Sequence, residues 1–132
     1  MFESESKVFN IFISHIGQNE DEYDLFIEKL SAAHDFEFKN YGVLKKDKTT
    51  EKEIQEQIKP VGIVIILSGL YNKYQPIIGR QIDTARRLGK PIIAIRPYGM
   101  EDVPSELEKI AVDVVGWNAP CITGAIIENY TE

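Results

Sequence analysis

Two short apolar runs constrain this chain more than anything else in it. Val61 to Leu67 (VGIVIIL) is almost unbroken and rich in β-branched residues, and Ile92 to Ile95 (IIAI) is a second run of the same kind. Neither alternates apolar with polar, so each predicts a strand covered on both faces, as in parallel sheets flanked by helices. Between them, Pro76 to Leu88 has helical spacing, with Ile78, Ile82, Ala85 and Leu88 on one stripe and Arg80, Asp83, Arg86 and Arg87 off it. Strand, helix and strand in that order form a parallel βαβ crossover. Ser68, Gly69, Tyr71, Asn72 and Tyr74 read as a polar loop where the first of these strands ends. Open α/β sheets bind ligands at such strand ends.

The rest of the chain extends the pattern. Val8 to Ser14 predicts a buried central strand ending in polar Ser14 and His15. A helix follows from about Asp21 to Ala33, capped by Asn19 or Glu20, with Tyr23, Phe26, Ile27, Leu30 and Ala33 on its core face. Phe36 to Phe38 reads as a brief edge strand, and His34 as an exposed helix end. Thr49 or Thr50 is placed to cap a thin helix reaching Lys59, with Glu53 completing a capping box for Thr50. Its sparse stripe, Ile54 and Ile58, predicts a helix that is mobile or covered by a partner. Pro104 starts a further helix, Ala111 to Val115 a last short strand, and Pro120 to Asn129 a closing helix with Ile122, Ala125 and Ile126 inward. Trp117 and Cys121 are expected to close the core near that turn. The alternation predicts a three-layer, doubly wound α/β sheet of about five parallel strands, most simply in flavodoxin-like order.

At 132 residues the chain is expected to form one domain. A formal net charge of −6 disfavours nucleic acid and anionic membrane as partners. The acidic start MFESESK does not read as a secretory signal, and the single cysteine, Cys121, suits a reducing cytoplasm. A phosphoacceptor receiver needs carboxylates where this chain has Ser14-His15 and Ser68-Gly69. SHIGQN is a poor flavin phosphate loop, there is no Walker loop, and no Cys/His spacing suggests a metal. A Ser–His–Asp triad from Ser14 is disfavoured, because Ser14 and His15 are chain neighbours facing opposite ways.

Several segments resemble one family. FISH at 12–15 resembles the end of the first strand in Toll/interleukin-1 receptor (TIR) domains. EYDLFIEKL at 22–30, FKNYGV at 38–43, VIILSGLYNKY at 64–74, QIDTA at 81–85, GKPIIAIRPYG at 89–99 and VVGWNAPCITGAI at 114–126 resemble the short bacterial and archaeal TIR-like proteins, including those of Thoeris anti-phage defence. The resemblance implies NAD+ as a substrate rather than a prosthetic group, cleaved between nicotinamide and ribose. It further implies an ADP-ribose-type product, linear, cyclic or conjugated, that activates a separate effector. A homo-oligomer and a phage-derived trigger are implied as well. The family's essential glutamate lies on the helix after the third strand, in a pattern resembling W-I-x-x-E-I. Here Ile77 and Ile78 lead, Gln81 takes the glutamate position and Ile82 follows.

That departure matters chemically. Breaking the nicotinamide–ribose bond builds positive charge on the ribose, as in glycosidases, and a fixed carboxylate stabilises it. Losing one such stabiliser costs on the order of 10²–10³ in rate. The resemblance therefore implies an impaired or trapped form, with Gln81 at the catalytic position. Alternatives are a non-catalytic nucleotide-binding or assembly module, and nucleoside deoxyribosyl transfer, which lacks its nucleophile here. Ser14, His15, Asn40, Tyr41, Ser68, Gly69, Tyr71 and Tyr74 are the expected substrate-binding residues. Strand-end hydrogen bonding competes for Ser14 and His15, and plain packing for one of the two tyrosines. Lys45, Lys46 and Lys48 could meet a pyrophosphate, though a solvated loop is the favoured explanation.

Overall fold

A computed structural model describes residues 7–17, 20–42, 50–98 and 102–132. In chain order the elements are β1 (Val8–Ile13), α1 (Asp21–Ser31), β2 (Glu37–Asn40), α2 (Glu51–Ile58), β3 (Ile63–Leu67), α3 (Ser68–Lys73), α4 (Gln75–Arg87), β4 (Ile92–Ile95), α5 (Ser105–Ile110), β5 (Asp113–Val115) and α6 (Ala119–Asn129). The five strands form one all-parallel sheet in the order β2-β1-β3-β4-β5, the flavodoxin-like order expected from the alternation. Right-handed crossovers then place α1 and α6 on one face and α2, α4 and α5 on the other, while α3 continues straight from the end of β3 and also meets α1. The contacts agree: α1 meets α6, and α2 meets α4.

β3 is the centre of the core. All five of its residues are fully buried, with Ile63 opposite Ile11, and Val64 opposite both Phe12 and Ile92. β2 does lie at the sheet edge, one residue later than Phe36. Glu20 caps α1 by accepting from the Glu22 amide, and Thr50 and Glu53 form the capping box of α2. Asn19 and Thr49, the other candidate caps, lie outside the described residues. Gly89, at φ 69°, ends α4 with Lys90 N–H bonded to the Ala85 carbonyl and Gly89 N–H to that of Arg86. This is a Schellman stop, for which glycine is suited because the left-handed conformation costs it nothing.

Four expectations change. The polar stretch after β3 is not a loop: Ser68–Lys73 winds directly into α3, because Leu70 points into the core and no proline interrupts the turn. Leu88 leaves the α4 stripe and is 39% exposed, since it is the C-cap rather than a helical position. Cys121 is exposed in the first turn of α6, whose inward face is Ile122, Ala125 and Ile126. Helix α2 buries Ile54, Gln57 and Ile58 and packs on α4 and β1, so its thin stripe is covered within the chain. Trp117 meets the expectation, with its ring edge-to-face on Phe26 at 5.6 Å.

Candidate functional site

The C-terminal ends of β1 and β3 lie side by side in the middle of the sheet. Here the connections leave in opposite directions, β1 toward the edge strand β2 and β3 toward β4. This is the topological switch point, where the crevice of a doubly wound sheet opens. Ser14 and His15 follow β1, Ser68 and Gly69 follow β3, and Asn40 ends β2.

Ser14 is fully buried and serves the sheet. Its amide donates to the Ile65 carbonyl at 2.8 Å, and its Oγ accepts from the Leu67 amide at 2.9 Å. The side chain thus extends the β1–β3 ladder by one rung, the strand-end role weighed from the sequence.

His15 is 1% exposed and held from three sides. Its Nδ1 accepts from the Gly17 amide at 3.1 Å, which leaves the ring proton on Nε2, 3.1 Å from Gln57 Oε1. The imidazole is therefore neutral, bonded to α2, with Phe12 beside it. Burial lowers its pKa from the usual 6.5, with the Gln57 bond opposing.

Gln81 is equally buried, at 1% exposure, in the second turn of α4. Its Nε2 donates to the His15 carbonyl at 2.7 Å, and its Oε1 accepts from the His15 amide at 3.3 Å. One side-chain amide thus satisfies both main-chain groups of one residue. Helices α2 and α4 grip the same residue, one by its ring and one by its peptide groups.

Asn40 has a comparable task. Its Oδ1 accepts from the amides of Ile13 and Gly42, at 3.1 and 2.9 Å, and its Nδ2 donates to the Tyr23 hydroxyl at 2.9 Å. Tyr41 continues the ladder through its amide to the Ile11 carbonyl, while Lys39 lies 4.7 Å over its ring. Gly42 packs so closely on the end of β1 that a Cβ would approach the Ile13 carbonyl to 2.8 Å.

Ser68 is fully buried, and its Oγ has no hydrogen-bond partner among the described residues. Gly69 lies under the carboxylate of Glu22 from α1, and a Cβ there would collide with that carboxylate. Tyr71 is half-buried and donates its hydroxyl to Glu106 Oε2 at 3.2 Å, toward α5. Burial, then the nearby Glu106 and Asp83 charges, raise its pKa above the usual 10.0. Tyr74 joins α3 to α4 and packs partly against the core.

Asn40 and Gln81 therefore bond to Ile13 and His15, on either side of Ser14, which is itself bonded to β3, and Ser68 and Gly69 follow β3 beside them. Tyr71 instead turns to α5. Lys45, Lys46 and Lys48 lie outside the described residues. Gln57, Tyr23 and Glu22 belong to the cluster and its rim without having been singled out from the sequence. Gln57 carried a readable signal, a polar residue beside Ile58 and three places from Ile54 on the α2 stripe. Glu22 carried none, because only the fold brings α1 against Gly69. Two surface cavities lie elsewhere. One of about 210 Å3 is lined by Glu51, Arg80, Asp83, Thr84 and Arg87. The other, of about 270 Å3, lies between Leu25, Glu28 and Lys29 of α1, its C-cap Ala32, and the Tyr98–Trp117 ring pair.

Comparison with curated proteins finds no significant match. Comparison with family descriptions does find one, over residues 12–102, to "Thoeris protein ThsB, TIR-like domain". The matched span runs from the end of β1 through β4 and contains the whole cluster around His15. With its parallel sheet in flavodoxin-like order, the chain belongs to the TIR-like domain family of the Thoeris anti-phage defence protein ThsB.

Proposed function

We propose that this TIR-like defence protein acts on NAD+ at the β1–β3 crevice, making an ADP-ribose-derived signal for a separate effector. The observation that carries the reading is the place of Gln81. The residue at the family's glutamate position is buried at the switch point, bonded to His15, two residues past the end of β1. In the proposed reaction the bond between nicotinamide N1 and ribose C1′ breaks, and its electron pair leaves with neutral nicotinamide. The ribose cation is then captured by water, which loses a proton to give ADP-ribose, or by a nucleophile within the same molecule, giving a cyclic product. With an uncharged amide at position 81, turnover is slowed by on the order of 10²–10³. The reading extends to a cytoplasmic setting, to a phage-derived trigger and to association of several copies of the domain.

A second reading has its own support. The double bond from Gln81 to the main chain of His15 suits a fixed, non-catalytic residue, and so favours a nucleotide-binding or assembly module.

Calorimetry with NAD+, together with chromatography of released nicotinamide, separates the two. Binding with slow release supports the enzyme, and binding with no release, with or without a phage lysate, supports the module. Absence of both binding and release overturns both readings.

A further inference from the structure

We infer that in this chain a negative charge is supplied to the ribose by Glu22 on α1, while the amide of Gln81 holds the β1 end. The inference rests on the proposal that the crevice takes NAD+ or ADP-ribose.

Three observations carry it. First, Gln81 is committed. Both ends of its amide are bonded to His15 in a buried setting, and a carboxylate there would place an acceptor against the His15 carbonyl, now 2.7 Å from the Gln81 nitrogen. Two acceptors at that distance repel, so the local geometry is built for an amide. Second, a carboxylate does reach the switch point, from the opposite side. Glu22 projects from the first turn of α1 over Gly69, whose missing side chain makes room for it. The Lys73–Glu20 ion pair, at 3.7 Å, holds this end of α1 to α3. Third, Ser68 precedes Gly69 in the chain, and its buried Oγ lacks a hydrogen-bond partner among the described residues. Buried hydroxyls without partners are uncommon and call for a ligand or water.

Together these place an acceptor-only group and an unused hydroxyl on adjoining positions at the mouth of β3. Vicinal hydroxyls of a ribose complement that pair. One can donate to a Glu22 oxygen, as acidic side chains do for the ribose of dinucleotides, and the other can exchange a bond with Ser68. The same carboxylate lies on the side of the crevice where positive charge on the ribose would be screened by nothing else in this cluster: His15 is neutral and Gln81 uncharged.

The test compares the parent chain with Glu22→Gln and Gly69→Ala. The second variant leaves the carboxylate intact but displaces it. Calorimetry is done with ADP-ribose and with its analogue lacking the hydroxyls of the terminal ribose, alongside thermal unfolding. The parent is expected to prefer ADP-ribose, and both variants to lose on the order of ten- to hundredfold of that affinity. Affinity for the deoxygenated analogue should stay unchanged, which a general structural disturbance would not permit. A folded variant that keeps the parent's affinity and preference overturns the assignment of Glu22 while the NAD+ reading stands. A parent that binds neither ligand overturns the NAD+ reading, and the inference with it. If Glu22→Gln fails to fold, Gly69→Ala decides the matter, because the atom in its way is the far end of a flexible side chain.

Discussion

The side-chain amide of Gln81 is bonded at both ends to one residue, donating to the His15 carbonyl and accepting from the His15 amide. No carboxylate can do both unless it carries a proton. A Gln81→Glu chain should therefore be less stable than the parent near neutral pH, by about 1–3 kcal/mol for a buried carbonyl left without its donor. The penalty has a definite pH dependence. Burial and the facing carbonyl raise the pKa of the introduced carboxyl above the unfolded value of about 4.3. The two chains should be most alike below that value and diverge as pH rises through the folded-state pKa. Urea unfolding of both chains from pH 4 to 8 measures this, and parallel curves across the range would sink the clamp.

His15 gives a second pH signature, of opposite sense. Its folded-state pKa is lowered from 6.5, mainly by burial, so the unfolded chain takes up its proton first as pH falls. Stability from the neutral ring is fully present above 6.5 and declines as pH drops from there toward the folded-state pKa. Protonation also removes the acceptor used by the Gly17 amide, which should loosen the start of the β1–α1 connection. The expected result is falling stability below about pH 6.5 that is weaker in His15→Gln, measured by unfolding at matched ionic strength. An identical slope in the variant would assign the acid sensitivity to carboxylates instead.

The architecture was legible because its signals are local. The continuous apolar runs of β3 and β4 and the 3.6-residue stripes of α1 and α4 each report burial on their own element. The capping box of α2 likewise needs only four consecutive residues. What failed was local competition that patterning does not resolve. Ser68 to Tyr74 is polar enough to read as a loop, yet Leu70 anchors it as a helical turn. The site was half legible. Gln81 and the residues at the strand ends could be placed by analogy with a motif. Their partners could not, because Gln57 is brought in by α2 and Tyr23 and Glu22 by α1, both remote in sequence from the groups they meet. Hydrogen bonds 27 to 66 residues apart, such as those of Asn40 to Ile13 and Gln81 to His15, leave no trace in local periodicity.

Asn40 is the second three-way joint of the cluster, and its variants should rank in a particular order. Asn40→Ala removes the acceptor of two main-chain amides and the partner of the Tyr23 hydroxyl. It should cost about 1–3 kcal/mol, chiefly through the unpaired Ile13 amide. Asn40→Asp keeps an acceptor for both amides, and the Tyr23 hydroxyl can turn to donate to the new oxygen. It should cost less, and keep that advantage at low pH, where the protonated carboxyl offers the same acceptor and donor as the amide. Chemical denaturation ranks the three chains, and equal losses for Ala and Asp would show that the amides are satisfied some other way.

Far from the cluster, Gly62 is where the C-terminal tail crosses the entry to β3. The Thr131 amide and hydroxyl both donate to the Gly62 carbonyl at 3.0 Å, and the Tyr130 hydroxyl accepts from the Asn10 amide at 3.0 Å. A Cβ on Gly62 would meet the Thr131 main-chain carbonyl and stand 2.5 Å from the Tyr130 ring. Neither obstacle is a flexible chain end, since one is backbone and the other a ring packed edge-to-face on Phe9 at 4.9 Å. Gly62→Ala must therefore push the tail off the sheet or shift β3, and overpacking of this kind costs about 1–3 kcal/mol. Gly69→Ala, which meets only the Glu22 carboxylate, should cost much less. Hydrogen exchange distinguishes where each change acts. In Gly62→Ala the Thr131 and Gly62 region should lose protection, while the amides of Leu67 and His15 should keep theirs. Equal stability of the two alanine variants would mean that the tail yields without cost and does not brace the sheet.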